Sequence, residues 1–352
     1  MPGMALPPQP HPPADLPTGI VERCEPLVAR VLAPNASPFT YTGTQTWLVG
    51  DARGLAVIDP GPDDPAHLAA LLVAIGSAPV VAIACTHTHR DHSPAAAPLA
   101  RATGAPVIGC APLVLETGEH RLDAPFDRDY APDAVLADSE AITGPGFTLT
   151  AIATPGHTSN HLCFALKETG ALFTGDHVMG WSTSVVAPPD GDMADYMASL
   201  EKLHVRDDRI YYPAHGPAVD RPRQLVRGML GHRRAREKQI MKLLQQARPS
   251  AQARTSCGSA DPATAQQRAP AQAGASGRPA HPASAQQCAP AQAGASGRDA
   301  QGLTIAADLV PAMYAGIAPY LWPAAGQSVL AHLIDLERRG LVTRMDDKWA
   351  PA

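Results

Sequence analysis

The chain has 352 residues, of which 45% are hydrophobic and 17% are charged, with a net charge of −5. This composition can form a substantial core and excludes wholesale disorder, and the acidic balance excludes a strongly basic nucleic-acid coat. No run approaches the about 18 consecutive apolar residues of a transmembrane helix, so no membrane span is expected.

Apolar periodicity predicts alternating strands and helices before residue 222. Strands are indicated by short apolar runs between turn residues, and helices by an apolar stripe at i, i+3 and i+4 behind an Asp cap. The predicted strands are 46–49, 55–59, 80–85, 162–166 and 171–174. One predicted helix begins after Asp63 or Asp64 and ends at Gly76, and another begins after Asp192. This order indicates an α/β domain.

The rest of the chain divides by composition. A long helix is predicted over 224–247, and residues 249–301 contain no Leu, Ile, Val, Phe, Met, Trp or Tyr. Within that segment the stretch from Pro262 recurs from Pro282, which indicates a duplicated low-complexity linker without a core. Helices at 304–314 and 327–339 and a strand pair within 341–349 follow. The predicted divisions are a disordered Pro-rich tail (1–19), a catalytic-type domain (20–221), a basic connecting helix (222–248), the linker (249–301) and a small terminal domain (302–352).

A dense group of metal-ligating residue types follows the predicted strand 80–85. Residues 86–92 read Thr-His-Thr-His-Arg-Asp-His. In an extended loop His87 and His89 lie on the same side, where two imidazoles can meet one ion, and Asp91 and His92 can reach a second. Three more ligand types follow predicted strands beside Gly or Pro, namely His157, Asp176 and His215. Because such loops gather at one sheet edge, the sequence predicts a metal site there.

These motifs resemble the metallo-β-lactamase superfamily of metal-dependent hydrolases over about residues 31–215. The resemblance implies an αββα sandwich, with two sheets between outer helices. It also implies that His87, His89 and His157 hold one metal. Asp91, His92 and His215 would hold a second metal, with Asp176 bridging both. The implied cofactor is Zn²⁺, two per chain, although nitrogen and oxygen ligands also accept iron or manganese.

A centre of this kind suits hydrolysis. Two dications about 3.5–4 Å apart lower the pKa of a shared water towards neutrality, which generates a metal-bound hydroxide, and they polarise the substrate oxygen. Asp91 is the candidate catalytic residue that orients the hydroxide and can carry a proton to the leaving group. Asp59 resembles a family Asp that hydrogen-bonds near the metal loop. His161 and His177 are candidates to orient the ligand imidazoles, with ordinary packing as their alternative.

A narrower resemblance concerns the segment 180–192 and the C-terminal region. Both are similar to the β-lactamase-like protein 2 group, whose C-terminal domain is winged-helix-like, as expected here for 302–352. The candidate substrate-loop residues are Trp181, Ser182, Thr183, Ser184 and Tyr196. A eukaryotic relative in that group is a single-strand-selective endoribonuclease, and other superfamily members are thioesterases of the glyoxalase II type.

Two kinds of substrate therefore remain open. Residues 221–248 hold nine Lys or Arg against one Glu, and Arg233, Arg234 and Arg236 are candidate phosphate contacts; the alternative is a solvated connecting helix. Residues 302–352 hold four Lys or Arg against five Asp or Glu, so DNA binding by the terminal domain is not expected. We expect hydrolysis of a small ester, thioester or lactone rather than RNA. The third alternative is a non-catalytic metal-binding or interaction protein.

The expected compartment is the cytoplasm. Six scattered cysteines without a Cys-x-x-Cys pair favour reduced thiols, and the Pro-rich start lacks the cationic and apolar regions of a Sec signal. A β-lactam substrate is less expected because the start of the chain shows no export signal for the periplasm. The terminal domain is expected to pack against the catalytic domain or against a partner subunit, which leaves a homodimer open.

Overall fold

The computed structural model describes residues 16–113, 126–247 and 302–352. The linker predicted at 249–301 and most of the tail predicted at 1–19 lie outside the described residues. Within the described ranges, the strands and helices predicted before residue 222 are all present, although several begin or end a few residues away.

A seven-stranded sheet forms the first layer, with its strands in chain order. Strands β1 to β4 pair antiparallel, and β4 to β7 pair parallel. Its strands are β1 (Val21–Glu25), β2 (Val28–Leu32), β3 (Gln45–Asp51), β4 (Gly54–Ile58), β5 (Val80–Cys85), β6 (Val107–Gly109) and β7 (Ala134–Val135). The apolar run of β5 is buried at its C-terminal end, which faces the predicted ligand loop.

A five-stranded sheet forms the second layer. Its strands are β8 (Ala141–Gly144), β9 (Phe147–Ala153), β10 (Leu162–Leu166), β11 (Ala171–Gly175) and β12 (Ile210–Pro213). They lie in the order β12-β11-β10-β9-β8 and are antiparallel except for the parallel pair of β11 and β12. The predicted hairpin of 162–166 and 171–174 is the central pair β10–β11.

Helices cover the outer faces of both sheets. Asp64 caps α1 (Pro65–Ile75) by accepting a bond from the His67 amide, and Gly76 ends this helix. Asp192 caps α3 (Met193–His204) by accepting bonds from the Ala194 and Asp195 amides. Both caps have the Asp side chain that was predicted from the sequence. The other two helices are α2 (Ala96–Thr103) and α4 (Pro222–Gln246).

Large side chains fill the space between the two sheets. The Trp47 ring of the first sheet lies 5.6 Å from the Phe173 ring and 4.8 Å from the Tyr212 ring of the second, measured between centroids. Leu71 of α1 and Leu99 of α2 join this core from outside the first sheet. Helices α3 and α4 pack on the outer face of the second sheet, around residues such as Leu200, Val226 and Met229. The layers are therefore helix, sheet, sheet, helix, as the resemblance implied.

The C-terminal region forms a small winged helix. Its elements are β13 (Leu303–Thr304), a π-helical turn (Ile305–Leu309), α5 (Val310–Met313), a 3₁₀ turn (Pro319–Leu321), α6 (Trp322–Arg338), β14 (Val342–Met345) and β15 (Lys348–Pro351). The helix predicted over 304–314 is wrong at its start. Thr304 belongs to a strand, and its amide and hydroxyl bond to the Asp308 carboxylate. The helix predicted from 327 begins earlier, at Trp322, with Pro323 in its first turn.

Helix α4 belongs to two hydrophobic cores. Its N-terminal half contributes Val226 and Met229 to the core against the second sheet, and its C-terminal half contributes Ile240 and Leu244 to the winged-helix core. It therefore anchors the winged helix to the sandwich rather than standing free as a solvated connection. Over the described residues, none of the helices is both long and apolar enough to span a bilayer.

Candidate metal centre

The seven predicted metal ligands all follow the C-terminal ends of strands. His87, His89, Asp91 and His92 follow β5, His157 follows β9, Asp176 follows β11 and His215 follows β12. Strands of both sheets end at the same edge of the sandwich, so residues far apart in sequence meet there. The structure brings all seven together in two groups, His87, His89, His157 and Asp176, and Asp91, His92 and His215.

The donor atoms within each group lie close enough to share one ion. They are within 4.8 Å of one another. In the first group His89 Nδ1 is 3.0 Å from His87 Nε2 and 3.2 Å from His157 Nε2. In the second group Asp91 Oδ2 is 3.1 Å from His215 Nε2 and 3.3 Å from His92 Nε2.

The Asp176 carboxylate lies between the two groups. Its Oδ2 is 3.6 Å from His157 Nε2 of the first group and 3.6 Å from His92 Nε2 of the second. Its Oδ1 is 3.2 Å from His215 Nε2. This is the position from which one carboxylate can serve two ions.

The outer ring nitrogens of the ligands set their orientation. His157 Nδ1 donates to the Val185 carbonyl at 2.6 Å, and His215 Nδ1 donates to the Gly43 carbonyl at 3.3 Å. His92 Nδ1 lies 3.0 Å from Asp59 Oδ2. A proton on each Nδ1 leaves the Nε2 lone pair directed into the centre.

These donors fit divalent metal ions. Nε2 of His92 is buried and has no hydrogen-bond partner among the described residues, and the same is true of Oδ1 of Asp176. Lone pairs that face one another at 3.0–3.2 Å repel unless a cation or proton lies between them. A pair of divalent ions would satisfy both the unpartnered atoms and the facing lone pairs.

The pKa values of the carboxylates and of His87 follow from this crowding. Burial alone would raise the pKa of Asp176, but the nearby His215 and His92 outweigh it and hold that pKa well below its usual value. Burial, reinforced by His92 and His89, lowers the pKa of His87 well below the usual value. Asp176 is therefore ionised and His87 neutral near pH 7, which are the states that bind metals.

His215 is different because carboxylates surround it. Asp176 and Asp91 outweigh the effect of burial and raise its pKa to about 9. Metal binding at its Nε2 would displace a proton, so we expect metal uptake to release protons.

Asp59 holds two ligand segments in place. Its Oδ1 accepts the Thr86 amide at 2.7 Å, and its Oδ2 accepts the Thr86 hydroxyl at 2.8 Å as well as the His92 ring. The Thr86 hydroxyl also lies 3.0 Å from His87 Nδ1. Asp59 thus links one ligand of each metal group.

The two other predicted orienting histidines lie in different environments. His161 Nε2 accepts the Asp176 amide at 3.2 Å, and its Nδ1 lies 2.9 Å from the Thr154 hydroxyl, so it supports a carboxylate ligand rather than an imidazole. Neither ring nitrogen of His177 has a hydrogen-bond partner within the described ranges. His177 therefore makes no hydrogen bond through its ring to a ligand imidazole, which favours the alternative of ordinary packing. Its backbone carbonyl instead accepts the Ser184 and Tyr196 hydroxyls.

Two glycines allow the ligand loops to pass close to other backbone. Gly156, with φ of +133°, lies so near α3 that a Cβ would come within 2.3 Å of the Tyr196 Cα. Gly175, with φ of +47°, would place a Cβ 2.7 Å from His161 Nε2. Larger residues here would displace His157 or Asp176, which explains the glycine before each ligand.

The predicted substrate-loop residues are divided between buried and half-buried positions. Ser184 and Tyr196 are buried and bond to the His177 carbonyl, so they do not contact a substrate. Trp181 stacks on Tyr41 with centroids 4.8 Å apart. Ser182 and Thr183 are half-buried, and like Trp181 they lie outside the wall of the cavity at the metal centre. Val185 of the same segment and Met179 just before it line that cavity instead.

The three arginines predicted to contact phosphates are engaged with the protein. Arg233 is only 3% exposed, bonds to the Ser184 carbonyl and stacks over Tyr196, so it is not available to a phosphate. Arg234 pairs with Glu201 at 2.7 Å. Arg236 donates to the Met313 carbonyl at 3.0 Å and lies over the Tyr314 ring, which joins α4 to the winged helix.

A cavity of about 260 Å³ opens onto the metal ligands. Its wall includes five of them: His89, Asp91, His157, Asp176 and His215. The other lining residues were not predicted from the sequence. Apart from Arg90 beside His89, they come from the loop between β2 and β3, from the segment after Asp176 and from α6, and they include Phe39, Thr40, Met179, Val185, Ala324 and Gln327. Their residue types are not chemically distinctive, so only the tertiary structure reveals their position.

Family models match both parts of the chain. Residues 40–215 match the Metallo-beta-lactamase superfamily, and residues 306–349 match the Beta-lactamase associated winged helix domain. The chain belongs to the metallo-β-lactamase superfamily. Within that superfamily it is a hydrolase with a His/Asp metal site and a C-terminal winged helix.

Relatives align with about two thirds of this chain. An atrochrysone carboxyl ACP thioesterase from Cryptosporiopsis sp. is 31% identical over 66% of this chain and 67% of its own. The Beta-lactamase-like protein 2 homolog of Caenorhabditis elegans is 31% identical over 64% of this chain and 74% of its own. A beta-lactamase domain protein from Burkholderia ambifaria has the same fold, with a TM-score of 0.66, 18% identity and 96% of each chain covered.

Proposed function

We propose that this protein is a dinuclear zinc hydrolase of small esters or thioesters. One observation carries the substrate class, namely the character of the cavity over the ligands. Among the described residues that line it, Arg90 is the only Lys or Arg, whereas Phe39, Met179, Val185 and Ala324 supply apolar surface. An RNA site is expected to carry a track of cations, and a neutral acyl group is not.

The relatives support the same class. Several are named atrochrysone carboxyl ACP thioesterases, and the one from Aspergillus chevalieri is 33% identical over 74% of its length. The RNA alternative rested on the resemblance to the β-lactamase-like protein 2 group and on the three arginines of α4, and each of those arginines bonds to the protein. We therefore favour the small-molecule substrate.

Bound divalent ions at this centre would polarise the scissile carbonyl and acidify a water molecule. Asp91 lies in the cavity wall, where its carboxylate can accept a hydrogen bond from the attacking water. The His215 and His92 nitrogens lie 3.1 and 3.3 Å from its Oδ2, where all three groups could share one ion. The water oxygen bonds to the carbonyl carbon, the carbon–sulfur or carbon–oxygen bond breaks, and Asp91 passes the water proton to the departing thiolate or alkoxide.

Zinc is the metal we propose because the ligands are imidazoles and carboxylates in a buried setting. We also propose a cytoplasmic location, since the described cysteines are free and three of the four are buried thiols.

Metal analysis combined with a substrate panel tests the proposal. Purified protein should hold about two zinc ions per chain and should hydrolyse aryl esters, S-lactoylglutathione or acyl-pantetheine thioesters faster than single-stranded RNA. Asp176→Ala should lose metal and activity together, because this carboxylate serves both ligand groups. His204→Ala, on the last turn of α3, is the matched control and should change neither.

Full activity in metal-free protein would overturn the hydrolase mechanism. Efficient cleavage of RNA without turnover of any ester or thioester would overturn the substrate class.

A further inference from the structure

Helix α6 of the winged helix forms part of the active-site cavity. Ala324 and Gln327, in its first turns, line the same cavity as the ligands His157 and Asp176. The catalytic site is therefore completed by a domain that supplies no metal ligand.

Gln327 also lines a second, larger cleft of about 530 Å³. This cleft lies between α6 and the loop 188–193. Its walls are mixed: Met193 at the start of α3, the two prolines of the loop, Leu330, Ala331 and Ile334 supply apolar surface, and Asp192, Gln327 and Arg338 supply polar groups. One side chain, Gln327, therefore borders both spaces.

The two walls of the cleft are held at a set spacing. At the far end, Arg338 of α6 pairs with Asp192, which is also the N-terminal cap of α3. In the loop, the Gly191 amide bonds to the Ala187 carbonyl at 2.8 Å. Arg233 of α4 bonds to the Ser184 carbonyl nearby in the same connection, so the loop is fixed against both α3 and α4.

We propose that the substrate carries an extended apolar substituent that passes Gln327 and lies in the cleft between α6 and the loop 188–193. This inference rests on the proposed ester or thioester hydrolysis. Gln327 is a specificity-determining residue at the junction, where its amide can bond to a polar group beside the scissile ester. The substituent belongs to either the acyl group or the thiol, since both extend from the same carbonyl carbon.

The sizes of the two spaces support the proposal. Small-molecule sites are usually about 300–1,000 Å³, so the cavity of about 260 Å³ at the metals alone holds little more than the reacting group. The adjoining cleft of about 530 Å³ brings the combined site into the middle of that range. Six of the ten residues that line the cleft have apolar side chains, so it can bury aliphatic or aromatic carbon between them, beside the polar Asp192, Gln327 and Arg338.

A pair of homologous substrate series tests the proposal with the full, zinc-loaded chain. One series lengthens the acyl group from acetyl to decanoyl with p-nitrophenol as a constant leaving group, and the other lengthens the thiol of acetyl thioesters. In one of them kcat/KM should rise about three- to fourfold per methylene until the cleft is filled. The responding series identifies which side of the ester enters the cleft.

Leu330→Trp should fill the cleft without altering the ligands. We expect it to lower kcat/KM for the longest responding substrate by at least about tenfold and to change the acetyl substrate by less than about twofold. Leu330→Gln keeps the size and removes the apolar surface, so it should flatten the length dependence even if the tryptophan variant fails to fold. Val73→Trp, at an exposed position of α1, is the control and should match the wild type.

Calorimetric titration with decanoate and acetate separates this inference from the proposed reaction. Tighter binding of decanoate, lost in both Leu330 variants, supports the cleft even if no ester is hydrolysed. A length dependence that is absent from both series, or that is unchanged by Leu330→Trp, overturns the inference and leaves the hydrolase intact. Failure to hydrolyse every ester and thioester contradicts the proposed function instead.

Discussion

At the scale of single residues, the metal centre depends on side chains that are not ligands. Asp59 connects the Thr86 segment to His92, and the carbonyls of Val185 and Gly43 hold His157 and His215. His161 Nε2 accepts a hydrogen bond from the backbone amide of Asp176. Each of these contacts sets the direction of a lone pair before a metal arrives, and this preorganisation strengthens metal binding.

Asp59→Asn tests that support. The Asp59 carboxylate accepts hydrogen bonds from three donors, namely the Thr86 amide, the Thr86 hydroxyl and the His92 ring. Asparagine keeps the size of the side chain, but its N–H2 group is itself a donor and would face those donors. We expect metal affinity to fall by about 10- to 100-fold. Competition with a chromophoric chelator measures it, and Asp51→Asn on an exposed turn should leave it unchanged. Equal affinities of the Asp59 variant and the wild type would show that Asp59 does not position His92.

At the scale of elements, α3 joins the second sheet, the substrate cleft and the winged helix. Its cap Asp192 accepts two backbone amides at 2.8 and 3.1 Å and pairs with Arg338 of α6. Burial alone would raise the pKa of Asp192, but the Asp195 amide and Arg338 outweigh it and lower that pKa. The residue is therefore ionised at neutral pH, the state that best caps a helix.

Asp192→Ala should lower the free energy of unfolding by about 1–2 kcal/mol, because it removes both the cap and the exposed ion pair. Urea unfolding at pH 7 measures the change. Arg338→Ala removes only the ion pair and should cost less than about 1 kcal/mol. Asp207→Ala, whose side chain is 99% exposed, should lie within about 0.5 kcal/mol of the wild type. Equal effects of the Asp192 and Asp207 variants would contradict the capping role.

At the scale of the whole molecule, the two domains meet across a cationic interface. His332 of α6 is 3% exposed, and neither of its ring nitrogens has a hydrogen-bond partner in the described ranges. Burial lowers its pKa to about 3, and the neighbouring Arg233, His232, Arg339 and Arg236 add to that effect. The packing of α6 against α4 therefore requires a neutral His332.

This requirement predicts a pH-dependent stability. The unfolded chain binds a proton at His332 near pH 6.5, whereas the folded chain does so only near pH 3. The free energy of unfolding therefore keeps its full value above about pH 6.5. Below that pH it decreases, by up to about 1.4 kcal/mol per pH unit, because only the unfolded chain binds the proton. Urea unfolding of the metal-free chain at pH 7, 6 and 5 should give a shallower slope for His332→Gln than for the wild type. Val73→Gln, at an exposed position of α1, should keep the wild-type slope, and identical slopes for all three would refute the assignment.

Sequence patterns alone were informative about local structure and about the ligand set. The Asp64 and Asp192 caps, the buried β5 and the β10–β11 hairpin follow from residue type and periodicity, because each depends on neighbours in the chain. The segment of residues 86–92 and the later His157, Asp176 and His215 indicated metal ligands because few other roles bring these residue types beside Gly and Pro at strand ends. The α/β class and the superfamily followed from the same residues.

The tertiary structure decided which groups face each other. The positive charge of α4 suggested phosphate binding. Because α4 packs on the second sheet, however, Arg233 is buried and donates a hydrogen bond to the Ser184 carbonyl. His177 and Tyr196 looked like site residues and are turned into the core, while Phe39, Val185 and Gln327 line the cavity without any distinctive pattern. Charge and residue type are local properties of a sequence, whereas burial and the meeting of two domains at one cavity depend on long-range packing.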